Sequence, residues 1–259
     1  MEMRRNFNME DDMKKLVIVG MVLVAAGMAE AGLRALNPVP RGKSTNDWWI
    51  ARFEQEKALA KTGEYPIIFI GDSITHLWDS PERGLAIWNA NFTNAPLKAI
   101  NAGIGGDRTE HVLWRLRHGQ LDDMKKAKAV VFMLGTNNSG HFKVEDEKPA
   151  ATVLGLEVIL DTIREKCPNA TVIVHPIFPR GPDAKDPTRL RNETVNEALR
   201  RYVAGKTKFV WCDFNDKFLL PGGALSKTMM PDLLHPGPYG YEIWAAAVVP
   251  EIKKALGVK

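Results

Sequence analysis

Five short apolar runs, separated by stretches long enough for helices, constrain this chain more than any other feature. They fall at 66–71, 97–101, 128–134, 170–176 and 207–213. Ala129-Val130-Val131-Phe132-Met133-Leu134 is apolar throughout rather than alternating. A strand of that kind needs cover on both faces, the condition met in a parallel sheet flanked by helices. Helical stretches at 150–166, 188–204 and 238–256 lie between or after the runs. A further helix, capped by Asn46, runs to about Thr62 and stops at Gly63. The alternation of strand and helix predicts a parallel, doubly wound α/β fold with one sizeable core.

Polar motifs close several of these runs. Gly71-Asp72-Ser73 directly follows Pro66-Ile67-Ile68-Phe69-Ile70. Gly105-Gly106-Asp107 and Gly135-Thr136-Asn137-Asn138 follow the second and third runs, and Asp232-Leu233-Leu234-His235 lies beyond the last. In open α/β sheets ligands bind outside the carboxyl ends of the strands, so these motifs are expected to share one edge.

The chemistry they can carry is acyl transfer. A serine hydroxyl is a poor nucleophile until a base takes its proton, and His235 is the candidate base for Ser73. Asp232, three residues before it, is close enough to reach the ring Nδ1 and leave Nε2 for the serine. Glycines at 105 and 106 let a backbone N–H approach a substrate oxygen, and the Asn137 amide can donate to a developing oxyanion. From chemistry alone Asn138 competes with Asn137, one of the pair being an exposed cap. A dinucleotide site is excluded, because the G-x-G-x-x-G pattern from Gly103 meets Arg108 at its last position.

The other histidines are assigned lesser parts. His76 reads as the surface of a helix start. His111 and His118 lie seven apart on one helix, without the carboxylate or cysteine partner that a metal would want. His141 and His175 are candidates to line the pocket near the sheet edge. Trp48, Trp49, Trp114 and Trp244 read as core or helix packing.

Composition bounds the rest. The chain has 259 residues, is 25% charged and carries a formal charge of +4, and its basic residues do not interleave with aromatics. That balance argues against nucleic acid as a partner. Lys14-Lys15, the apolar stretch Leu16 to Met28 and Ala29-Glu30-Ala31 form a signal-peptide pattern too short for a comfortable membrane span. Residues 1–31 are therefore expected to be a leader, with Met13 as a natural start. Residues 32–45 are expected to be a linker and 46–259 the folded domain, periplasmic or secreted. A membrane enters only if the leader stays uncleaved. Cys167 and Cys212 are expected near opposite ends of adjacent strands, hence as free, buried thiols.

The stretches Gly71-Asp72-Ser73, Asn101 to Asp107, His111 to Leu116, Gly135 to Asn138 and Pro179-Arg180-Gly181 resemble the SGNH, or GDSL-type, serine hydrolase superfamily. Within it they are most similar to bacterial esterases related to the catalytic subunits of platelet-activating-factor acetylhydrolase. The resemblance spans nearly all of 45–256. It implies a flavodoxin-like three-layer α/β/α sandwich with a five-stranded parallel sheet, and neither metal nor cofactor. It also implies Ser73, His235 and Asp232 as a catalytic triad, with the oxyanion held by the Ser73 and Gly106 amides and the Asn137 side chain.

The leader and the His235-Pro236 step set the chain apart from the mammalian subunits. Carbohydrate O-acetyl esterases occur in the bacterial branch. The expected activity is thus a secreted esterase removing short acyl groups, chiefly acetyl, from a small ester or an acetylated polysaccharide. The alternatives are a lysophospholipase or broad acyl esterase, and a non-catalytic glycan-binding or assembly module. Relatives form dimers, but no patch in the sequence decides the oligomeric state.

Overall fold

The computed structural model describes residues 34–42, 48–140 and 148–258. The expected leader, the Asn46 cap and His141 lie outside the described residues. The chain divides into a unit of residues 1–34 and a unit from Ala35 to Lys259, and the elements below belong to the second.

Five parallel strands form one sheet: β1 (Ile67–Gly71), β2 (Ala99–Gly103), β3 (Ala129–Met133), β4 (Thr171–Val174) and β5 (Phe209–Trp211). Their order is β2-β1-β3-β4-β5. The central pair of ladders sets Gly71 opposite both Gly103 and Met133. Adjacent parallel strands are joined through helices, as such connections require. The three-layer α/β/α sandwich implied by the sequence is the fold observed.

β1 and β3 are buried on both faces along their whole length, whereas the edge strand β5 is half-buried. Ile68, Ile70, Val130 and Phe132 point into one core, packed by α4 (Thr109–Arg117), α6 (Pro149–Lys166) and α7 (Pro187–Val203). Ile67, Phe69, Val131 and Met133 point into the other, packed by α3 (Leu85–Phe92) and α8 (Pro238–Leu256). This two-sided burial is why the runs do not alternate. The second core is rich in rings: Trp78, Trp88, Phe92, Tyr241 and Trp244 surround Phe69.

The strands begin or end a few residues away from the sequence reading. β2 runs on through Gly103, and β5 is only three residues long. Two helices are very short, α2 (Ser73–His76) directly after β1 and α5 (Thr136–Gly140) after β3.

Residues 35–42, expected within a linker, lie against the domain. Ala35 is fully buried, and the Val39 N–H donates to the Glu110 carbonyl at 3.3 Å. The next helix, α1 (Trp48–Lys61), packs over the end of β2, where Arg52 donates to the carbonyls of Gly103 (2.7 Å) and Asn101 (3.1 Å). Both cysteines are free; Cys167 is buried, whereas Cys212 is only half-buried.

Candidate active site

The motifs that close β1, β2 and β3 meet at one edge of the sheet. Ser73 is the first residue of α2. Asp72 caps that helix, its Oδ1 accepting from the Ile74 N–H at 2.9 Å. A helix's first amides have no partner within the helix, so the Ser73 N–H is available to an incoming oxygen. Gly71 admits no side chain, since a Cβ there would stand 2.5 Å from the Met133 carbonyl oxygen.

Ser73 Oγ lies 2.9 Å from His235 Nε2, and His235 Nδ1 lies 2.9 Å from Asp232 Oδ2. Asp232 is held down to a pKa of about 2. Burial acts against that shift, but hydrogen bonds from the His235 backbone and ring, with the Arg83 charge, outweigh it. An ionised Asp232 can only accept, so Nδ1 carries the proton and Nε2 is left to accept from the serine hydroxyl.

The turn holding these groups is built for the purpose. Asp232 Oδ1 accepts from the backbone N–H groups of Leu234 (3.0 Å) and His235 (2.7 Å). Leu233 sits at φ 61°, a left-handed conformation that costs a branched residue energy. The Gly181 N–H pins the Leu233 carbonyl at 2.9 Å. Arg83 reaches across from the loop before α3 to Asp232 Oδ2 (2.9 Å) and to the carbonyls of His235 and Pro236 (3.1 Å each).

The glycine loop after β2 adjoins the serine: a Cβ on Gly105 would lie 3.9 Å from that of Ser73. Gly106 has φ 77°, which suits glycine and few other residues. Its N–H has no acceptor among the described residues. The Asn137 amide donates one proton to the Asp107 carbonyl at 2.9 Å, and an amide nitrogen carries a second. Asn138 is not the exposed cap that the sequence allowed. It is fully buried, accepting from the Thr109 N–H (3.1 Å) and donating to the Thr109 hydroxyl (3.0 Å). Asn138 thus ties α5 to α4, while Asn137 is bonded to the loop that follows β2.

Beneath the loop lies a buried charge cluster. Arg115, fully buried, pairs with Asp107 (2.8 Å) and Glu56 (3.5 Å) and donates to the carbonyls of Ala102 (3.0 Å) and Gly71 (3.3 Å). It thereby adds a charged donor at the ends of two neighbouring strands. Trp49 donates to Asp107 at 2.6 Å. Burial pushes the Glu56 carboxyl up to about 8, Asp72 to about 7 and Asp107 to about 6.

The sequence reading of the histidines needs revision. His76 ends α2, is half-buried, and accepts the Gly105 N–H at Nδ1 (3.1 Å). Burial, then the Arg52 charge, pulls it down to about 4. His175 does not line the pocket. It is buried in the second core, donating from Nδ1 to the Cys212 carbonyl (2.8 Å) and accepting from Trp244 (3.0 Å). His111 is buried, its Nδ1 accepting the Arg108 N–H at 3.1 Å, and His118 stacks on Trp114 at 3.8 Å. No group of three or more metal-binding side chains comes together among the described residues. Trp48 departs from the packing role expected of it. Its indole is 52% exposed and stacks on His76, with centroids 6.2 Å apart.

Arg83 and Glu56 were not singled out from sequence, His76 was given only a surface role, and Arg115 appeared only within a family-like stretch. His76 alone carried a signal, because a residue three after the serine shares its helix face.

Comparison with known proteins agrees with this geometry. A family model described as GDSL-like Lipase/Acylhydrolase family matches residues 69–243. The human platelet-activating factor acetylhydrolase IB subunit alpha1 is 36% identical over 193 residues, covering 74% of this chain and 78% of the relative. The mouse alpha2 subunit is 35% identical over 196 residues, covering 76% and 80%. Among solved structures, a putative acylhydrolase from Bacteroides fragilis superposes with TM-score 0.64 at 20% identity, covering 83% of this chain and all of that one. An acetylxylan esterase from Geobacillus stearothermophilus gives TM-score 0.55 at 21% identity, covering 72% and 93%. A serine within reach of an oriented imidazole, set among family motifs along most of its length, makes the chain a member of the GDSL-like lipase/acylhydrolase family and a hydrolase of that family.

Proposed function

We propose that this chain is an exported serine esterase that removes short acyl groups, acetyl foremost, from carbohydrate esters. The observation that carries the reading is the Ser73–His235–Asp232 relay, with 2.9 Å at each link. In the reaction Ser73 Oγ attacks the ester carbonyl carbon as its proton passes to His235 Nε2. The carbonyl oxygen becomes an oxyanion among the Ser73 and Gly106 N–H groups and the free Asn137 amide proton. When the intermediate collapses, the acyl–oxygen bond breaks and His235 protonates the departing alcohol. Water, deprotonated by the same imidazole, then hydrolyses the acyl-enzyme and restores the serine.

Preference for acetyl is supported by the relatives, since both a sequence relative and a structural neighbour are named for acetyl esters. A carbohydrate leaving group is supported by the acetylxylan esterase among the structural neighbours and by the leader pattern at 1–31. The test is acetate release from acetylated xylan, pectin, chitin oligomers and sialic acid, beside p-nitrophenyl acetate, octanoate and palmitate. The expected result is acetate from at least one glycan and a steep decline beyond short acyl chains. Equal rates up to palmitate with no acetate from any glycan would replace this reading by that of a lipid or broad acyl esterase. Failure of Ser73 to label with a fluorophosphonate probe would leave only a binding module.

A further inference from the structure

The peptide joining Gly105 to Gly106 is gripped from outside the region matched by the family model. Arg41 lies in the segment before α1, and the matched region begins at residue 69. Its Nη1 donates to the Gly105 carbonyl oxygen. The guanidinium lies so close that a Cβ on Gly106 would fall 2.5 Å from its central carbon. One residue back, the Gly105 N–H donates to His76 Nδ1 at 3.1 Å. Trp48 holds both grips, stacked on His76 and lying 5.5 Å from the Arg41 guanidinium carbon.

A peptide unit is planar and trans, so its carbonyl and its N–H point in opposite directions. Fixing the Gly105 carbonyl therefore fixes the direction of the Gly106 N–H, the donor that lacks an acceptor among the described residues. A cation on the carbonyl also polarises the amide and strengthens the N–H as a donor. A loop of two glycines would otherwise be free to turn that amide away.

We infer that Arg41 is a positioning residue of the oxyanion hole: by holding the Gly105 carbonyl it aims the Gly106 N–H at the oxygen of the tetrahedral intermediate, with His76 and Trp48 as its brace. In this role Arg41 acts through the Gly105 carbonyl. The inference rests on the esterase reading above but not on the identity of the glycan, so p-nitrophenyl acetate suffices to test it.

In the full chain, Arg41→Ala is expected to lower kcat by ~10-fold or more, short of the 10²–10³ lost with a whole oxyanion donor. KM and Tm should stay near the wild-type values. Phosphonylation of Ser73 by a fluorophosphonate should slow in parallel, because that attack also builds charge on the oxygen. Guanidinium chloride at low millimolar concentration should restore part of kcat in Arg41→Ala and leave the wild type unchanged. A merely structural arginine would give neither the rescue nor a kcat loss at constant KM.

Arg41→Lys, which keeps the charge without the planar fork, should recover only part of the loss and serves if the alanine variant fails to fold. Wild-type kcat in Arg41→Ala, or full recovery in Arg41→Lys, would overturn the inference while leaving the esterase reading in place. A wild-type protein that neither hydrolyses the ester nor takes the probe would overturn both.

Discussion

Asp232 grips His235 twice, with Oδ1 on its backbone N–H at 2.7 Å and Oδ2 on its ring Nδ1 at 2.9 Å. One carboxylate thus sets both the path of the chain and the tautomer of the imidazole. Asp232→Asn would place an amide where an acceptor is needed and favour the other tautomer. Turnover of p-nitrophenyl acetate should drop by about 10⁴, the scale seen when such a carboxylate is neutralised. A loss below tenfold would show that the ring is oriented by other means.

Ser73→Ala removes the nucleophile while changing little volume. Turnover should fall by several orders of magnitude, leaving only the ~10³–10⁴ over water that binding and oxyanion donors supply. Far-ultraviolet circular dichroism and Tm should match the wild type. An active alanine variant would refute the assignment.

Asn137→Ala removes both amide protons, one of which is on the Asp107 carbonyl and the other of which is proposed above as an oxyanion donor. The expected cost is about 10²–10³ in kcat with KM little changed. The control is Asn138→Ala, whose side chain bonds Thr109. It should lower Tm through two lost buried hydrogen bonds and spare kcat in whatever fraction is folded.

Stability should fall as pH rises from 6.5 to 8.5. Glu56 and Asp72 are raised by burial to about 8 and about 7, from ordinary carboxyl values of 4.5 and 3.8. Across this window the unfolded chain has already lost those protons, whereas the native protein gives them up only near pH 7 for Asp72 and near pH 8 for Glu56, above which the fall levels off. The native state therefore binds more protons, and unfolding becomes easier with pH. His76 and His175, lowered to about 4, are neutral in the native state throughout the window and add stability only as pH climbs toward 6.5. Urea midpoints at pH 6.5 and 8.5 give the slope, which Glu56→Gln should reduce. An unchanged slope in that variant would place the proton elsewhere.

Trp244→Phe should cost about 1–3 kcal/mol, because it strands the buried Nε2 of His175 without its donor. Measured kcat should hold, since His175 faces the second core and not the site. A stability change below 0.5 kcal/mol would mean that the pair is satisfied in another way.

The layers of the fold were legible because two-sided burial writes itself into consecutive residues, as at Ala129–Met133. Ser73, His235 and Asp232 come together as the sequence suggested because each belongs to a compact motif at a strand end or in one turn. What escaped depends on contacts across long stretches of chain. Arg83 meets Asp232 across 149 residues, and Gln120 meets Glu56 across 64. No local pattern marks such partners. His175 was misplaced for a related reason: its position just past β4 suggested the edge, but Phe178, Phe214 and Trp244 close around it. Trp48 was misplaced because the helical spacing of aromatic residues says nothing about which of two neighbouring indoles turns inward. Trp49 is buried and Trp48 is not.

Trp49 belongs to the helix ahead of the family match, yet its indole ends on Asp107, inside the loop that follows β2. An expression fragment trimmed to residues 69–243 would retain every residue of the relay and lose the wall behind it. Swapping that upstream stretch between homologues offers a way to alter catalytic rate without editing a single reacting group.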